Sequence, residues 1–276
     1  MTPATPATIH KTHTVQTKLR MRLAASIVSC ALAFGGSCAL AFAGSCALAF
    51  AADPPADLTR RVAARETITE AARSRYMYRQ SVRVEDFHPN GIKAGEYGEV
   101  REIIFLADGT RSEREVKKPW NRLVRIKLTD EDFRDLREVQ PMLLTKDTLF
   151  IYETKYKGEE EIDGIDCWLL SVRPRQILEG MRLFDGMLWI DKRDNSIIRS
   201  EGQAVPQIRT SKNDNLFPHF TTLRKKIDGE HWFPVKTYGD DILHFRTGSE
   251  RMRIIVEYAD YKRFGSESTI RFEPPK

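Results

Sequence analysis

Apolar and polar residues alternate along much of this chain with a period of two. Met252, Ile254, Val256 and Tyr258 fall on one face, with Arg251, Arg253 and Glu257 on the other. Trp168, Leu170 and Val172 stand against Cys167, Ser171 and Arg173, and Val124, Ile126 and Leu128 against Arg125 and Lys127. Successive side chains of a strand point to opposite faces, so each run predicts a half-buried antiparallel strand with one face packed and one wet. Asp108-Gly109, Asp163-Gly164 and Asp228-Gly229 each separate strand-like runs, and Asp-Gly suits the tight turn that joins antiparallel neighbours. The stretch from Lys192 to Asn195 and Thr247-Gly248-Ser249 predict further turns. Counting such runs gives roughly ten strands, with too few helical patterns to build a crossover-connected parallel sheet.

Two segments read as helices. Asp57 is placed to cap a helix through Leu58, Val62, Ile68, Ala71 and Ala72 to Arg73, whose other face carries Arg60, Arg61, Arg65, Glu66 and Glu70. Thr129 caps a second, with Asp130, Glu131 and Asp132 in its first turn, Phe133 and Leu136 as its buried pair, and Pro141 ending it. The fold class that results is mainly β with a few helices, a single meandering antiparallel sheet, strongly curved and covered on one side by helices. One stretch breaks the alternation. From Gln176 to Gly186 the chain is apolar, irregular and punctuated by Gly180 and Gly186. It reads either as a short helix or loop packed on the sheet, or as an apolar flap at the mouth of a cavity that includes Leu183 and Phe184.

The amino terminus is of another kind. Lys11, Lys18, Arg20 and Arg22 precede an uncharged run from Leu23 to Ala52, in which Ser-Cys-Ala-Leu-Ala-Phe recurs at Ser29, Ser37 and Ser45. A basic stretch, an apolar run and Ala49-Phe50-Ala51 as a small-residue cleavage site predict a signal peptide over residues 1–51, export, and one mature domain over 52–276. The run is also long enough to span a bilayer, so a retained inner-membrane anchor over residues 23–52 is the alternative. Cys30, Cys38 and Cys46 raise a third, minor reading, lipid modification. Four of the 44 basic residues and none of the 39 acidic ones precede Ala52, which leaves the mature part 40 against 39. A near-neutral domain offers no electrostatic footprint for nucleic acid, so no nucleic-acid partner is expected.

The catalytic and metal signatures are missing from the sequence. No G-x-S-x-G, H-E-x-x-H, C-x-x-C or phosphate-cradling glycine loop occurs, and neither an enzyme nor a cofactor is expected. His219, His231 and His244 fall in separate predicted strands or beside turns, without the close ligand pairs of a zinc site. Glu159-Glu160-Glu161 reads as a solvated hairpin tip, and Asp191 and Glu201 as carboxylates facing each other across a hairpin. Cys167, the one cysteine of the mature part, reads as a buried strand residue that needs cover from a helix or second layer.

Several strand and turn motifs carry a resemblance. The stretch from Gly164 to Val172, the Leu188-Trp189-Ile190-Asp191 run followed by Ile197 to Glu201, and the Asp228-Gly229-Glu230-His231-Trp232-Phe233-Pro234 turn resemble periplasmic outer-membrane lipoprotein-sorting proteins of the LolA/LolB/RseB type. The resemblance covers most of residues 55–265. It implies a half-open barrel whose concave apolar face, lidded by helices, holds acyl chains of lipoproteins or other lipids. On that reading the chain is a periplasmic carrier with lipid partners and inner- or outer-membrane transport components. The alternative is a regulatory domain of the RseB type working through protein contacts. The implied cavity takes Val124, Ile126, Trp168 and Leu170 from the alternating runs, with Leu183 and Phe184 at its border.

Overall fold

The computed structural model describes residues 54–106, 110–138, 144–177, 182–209 and 214–264. The amino-terminal segment with its cysteine repeat and the bond after Ala51, Asp108-Gly109, Pro141 and residues 178–181 of the glycine-punctuated stretch lie outside them.

The chain is mainly β, as the alternation predicts. Helix α1 (Leu58–Arg73) leads into strands β1 (Tyr76–Phe87), β2 (Lys93–Phe105) and β3 (Arg111–Asn121). Helix α2 (Asp130–Glu138) precedes β4 (Tyr152–Ile162), β5 (Ile165–Pro174), β6 (Leu183–Asp191) and β7 (Ile197–Val205). A short pair, β8 (Ile208–Arg209) and β9 (Asp214–Asn215), is followed by β10 (Phe220–Ile227), β11 (His231–Phe245) and β12 (Gly248–Arg263). Ten strands form one antiparallel sheet in the order β3-β2-β1-β12-β11-β10-β7-β6-β5-β4. Its edges are β3 and β4, so the sheet is not closed.

This is two meanders and not the single one expected. β1 takes β12 as its neighbour, with Val82 opposite Val256, and the connection after β3 carries the chain from one edge of the sheet to the other. The first part of that connection is the run from Arg122 to Leu128, which is no strand. Its central N–H groups are bonded to a side chain instead of a ladder. The buried Asp86 carboxylate accepts from the N–H groups of Val124 and Ile126 at 2.8 and 3.2 Å, and from Arg125 between them. Alternation of side chains alone cannot distinguish these two ways of satisfying an extended backbone.

The turns follow their residues. Asp163 and Gly164 adopt φ of 52° and 76° between Ile162 and Ile165, a two-residue loop whose left-handed angles glycine and aspartate tolerate. At Asp228-Gly229 the loop has one residue more, because Ile227 pairs with His231.

Met252, Ile254, Val256 and Tyr258 join Trp168, Leu170 and Val172 in one large buried cluster on what is here called the inner face, to which Leu58 and Val62 of α1 and Leu136 of α2 also belong. Asp132 and Thr129 cap α2 reciprocally, Asp132 accepting from the Thr129 N–H at 2.7 Å and Thr129 Oγ1 from the Asp132 N–H at 3.3 Å. α1 departs from its sequence pattern. Asp57 makes no side-chain cap and pairs with Arg61 at 3.0 Å, Ile68 is exposed, and Glu66, read as a solvent-facing residue, is buried.

From Leu183 onward the irregular stretch is strand β6, where Leu183 and Phe184 are both buried. The irregularity comes from Gly186. It acts through closeness and not as a hinge: a Cβ there would lie 2.6 Å from Phe184 Cζ, and one at the paired Gly202 2.8 Å from the same atom.

Cys167 is buried, as expected, but its cover is neither helix nor second layer. It sits in a smaller cluster with Trp189, Ile198 and Trp232, bordered by Ile162, Ile165, Leu169 and Met187, all of them residues of the one sheet. Burial, then the negative charges of Asp191, Asp166 and Glu160, push its thiol up to about 12. Only the thiolate reacts with alkylating reagents. At pH 8 the native protein is therefore expected to label with iodoacetamide far more slowly than the same chain in denaturant; equal rates would place the thiol at the surface.

Candidate functional site: the inner face and the cleft beside the first helix

The sequence names six residues for an apolar cavity, and the structure brings five of them to one cluster. Trp168, Leu170, Leu183 and Phe184 are buried members, and Ile126 is a half-buried residue packed against them. Val124 stands apart, 67% exposed, because the Asp86 carboxylate holds its backbone and leaves its side chain in solvent. These residues reach the cluster through register: Trp168 lies opposite Ile190 and Leu170 opposite Leu188, so β5 and β6 present matched apolar pairs.

The aromatic groups are well held. The Phe184 and Phe220 rings lie 5.9 Å apart, and the Phe184 N–H donates to Tyr152 Oη at 3.4 Å. Trp168, 7% exposed, has the Tyr156 ring at 6.2 Å and the Lys192 ammonium 4.4 Å above its own. The apolar lining does not extend unbroken over the whole inner face. On β2, Tyr97 donates to Glu99 at 2.7 Å, and Arg101 donates to the same carboxylate at 2.9 Å and to Glu113. Thr222 and Thr237 bond to each other at 2.8 Å beside Tyr258, whose phenol burial pushes up to about 12. The inner face is thus largely apolar over β4–β7 and interrupted by bonded polar groups over β10–β12 and on β2.

A buried ion pair fixes α1 to the sheet. Arg224 Nη1 of β10 lies 3.1 and 2.8 Å from the two Glu66 carboxylate oxygens, with side-chain exposures of 1% and 0%. Nothing in the residue pattern signals it, since Glu66 sits among the charged residues of an exposed-looking helix. At the start of the same helix Thr59 Oγ1 meets Thr154 Oγ1 of β4 at 2.9 Å. Beside that contact opens a cleft of about 480 Å³, lined by Ala56, Asp57, Thr59 and Arg60 from α1 and its approach, and by Leu149, Tyr152, Thr154 and Arg175. Tyr152 belongs to the buried cluster and Leu149 packs on it, so the floor of the cleft is also the rim of the apolar interior. The alternation of β4 marks Tyr152 as inward-facing, but nothing in the sequence pairs it with α1.

The remaining candidates resolve as follows. His219 and His244 are exposed and His231 half-buried, with burial holding the His231 imidazole below its ordinary value. Among the described residues no group of three or more His, Cys, Asp or Glu side chains is placed to hold a metal ion. Asp191 does not face Glu201: it lies opposite Cys167 and, fully buried, accepts from Arg193 in the following turn at 2.9 and 3.0 Å. The glutamate run is engaged as well as solvated, since Glu159 pairs with Lys192 at 2.6 Å and Glu160 accepts from Trp189 Nε1 at 2.9 Å.

No protein-family model matches the chain, and no curated protein matches it in sequence. Solved structures similar to it include a DUF1329 family protein from Desulfovibrio piger, at 16% identity over 79% of this chain and 96% of that one, with a TM-score of 0.37. A LolA superfamily protein from Nitrosomonas europaea shares 14% identity over 73% of this chain and 94% of its own, with a TM-score of 0.34. The MucA/MucB complex of Pseudomonas aeruginosa matches at 13% identity over 76% of this chain and 100% of that one, with a TM-score of 0.23. The chain is similar to LolA-superfamily and MucB structures, the group its strand and turn motifs resemble.

Proposed function

We propose that this chain is an exported periplasmic binding protein, a carrier for lipoproteins or other acylated ligands, which it holds by their acyl chains on the inner face of its sheet. The observation that carries the reading is the unclosed sheet with an apolar inner face over β4–β7, on which Leu58 and Val62 of α1 rest. In this reading the sheet curves around the ligand and the helices cover its concave side. An acyl chain replaces helix side chains on that face, gaining roughly 0.8 kcal/mol per methylene buried. Ile126, Trp168, Leu170, Leu183 and Phe184 border the path.

Native mass spectrometry of the chain purified from its own cell envelope tests the proposal. A lipid adduct released by organic solvent is expected. A bare mass, together with no uptake of a fluorescent fatty acid, would sink the carrier reading. The same spectra report the amino terminus: cleavage after Ala51 leaves Ala52 first, whereas an intact stretch from Leu23 to Ala52 in the membrane fraction establishes an anchor.

A further inference from the structure

The cleft beside α1 combines two properties that the interior keeps apart. Its floor is apolar through Leu149 and the ring of Tyr152, while its rim holds two exposed guanidinium groups, Arg60 on α1 and Arg175 just past β5. Neither guanidinium has a carboxylate partner among the described residues. Asp57, the one acid on the lining, is taken by Arg61 at 3.0 Å, and Glu153 on the neighbouring strand by Lys155 at 3.2 Å. Arg175 is fixed at its base, because its N–H donates to the Ile151 carbonyl at 2.8 Å. The volume, about 480 Å³, is within the roughly 300–1,000 Å³ of small-molecule sites.

Unmatched cations over an apolar floor select a ligand in which an anion is joined to a hydrocarbon. Arginine forks suit carboxylate and phosphate alike. We infer that the cleft is the head-group subsite of the ligand path: Arg60 and Arg175 hold the carboxylate or phosphate of an acyl amphiphile, and the chain runs over Tyr152 onto the inner face. This inference rests on the carrier reading and adds to it a charge requirement and a direction of entrance.

Four probes test it on the exported chain by calorimetry: oleate, oleyl phosphate, oleyl alcohol and inorganic phosphate. Oleate and oleyl phosphate are expected to bind about tenfold or more tightly than the alcohol, the scale of a charge-assisted contact. In the double variant Arg60→Gln/Arg175→Gln that difference disappears while the alcohol binds as before; both residues are exposed, so an unchanged melting curve confirms the fold. Equal binding of acid and alcohol by the unaltered chain, or a difference that survives the double substitution, overturns the subsite and leaves the carrier reading standing. Inorganic phosphate binding as tightly as oleyl phosphate also overturns it, since the cleft would then take a free anion. Failure of all three oleyl probes to bind removes the carrier reading itself.

Discussion

Glu66→Ala is expected to cost about 3–5 kcal/mol, measured as a lower urea midpoint, because it leaves the Arg224 charge inside the protein without its carboxylate. The geometry supports a value at that scale. Both side chains are within 1% of full burial, and both carboxylate oxygens lie within 3.1 Å of the guanidinium. An exposed pair would contribute at most about 1 kcal/mol, so a loss that small would mean the helix does not lie on β10 as described. The double substitution Glu66→Leu/Arg224→Met separates charge from packing. It removes both ions and is expected to recover most of the loss, since well-packed apolar pairs replace buried ion pairs at little cost. The same comparison reports on the site, because Glu66 sits two turns along the helix from the cleft that Thr59 and Arg60 line.

Phe184→Ala is the second large effect, again about 3–5 kcal/mol, with a fall in Tm. The ring is 1% exposed, packs on Phe220 and fills the space that the two paired glycines, Gly186 and Gly202, leave open. Glycines have no side chain to move into a vacated volume, so the cavity persists and the loss approaches the upper end of the range. Phe184→Leu keeps much of that volume and is expected to cost less than half as much. If both variants melt like the unaltered chain, the ring is not packed, and the apolar face there is open to solvent.

How much of this was legible depends on what each residue is bonded to. The face made by Met252, Ile254, Val256 and Tyr258 was readable because one side of β12 packs on the core while the other meets solvent. The run from Arg122 to Leu128 shows the same spacing but satisfies its N–H groups on Asp86, a residue distant in sequence. Around Phe184 the pattern is interrupted, because Gly186 and Gly202 leave room for its ring where their side chains would otherwise stand. Within the site, Trp168 and Leu170 were visible through their own strand. The ion pair of Glu66 with Arg224 and the cleft between Arg60 and Arg175 were not, since each joins elements whose juxtaposition only the tertiary fold decides.

The pairing of β1 with β12 sets a condition on how the molecule comes into being. Val82 meets Val256, so the strand that unites the two meanders is made after all the other described strands. Until it emerges, β1 and β11 each present an unsatisfied ladder, and the largest loop of the fold stays unclosed. Such long-range closure is slow and delays the cooperative transition until β12 is available. A chain stopped before Gly248 would keep both hairpin systems but lack the seam between them, and would expose two sticky edges where the complete protein has a continuous sheet.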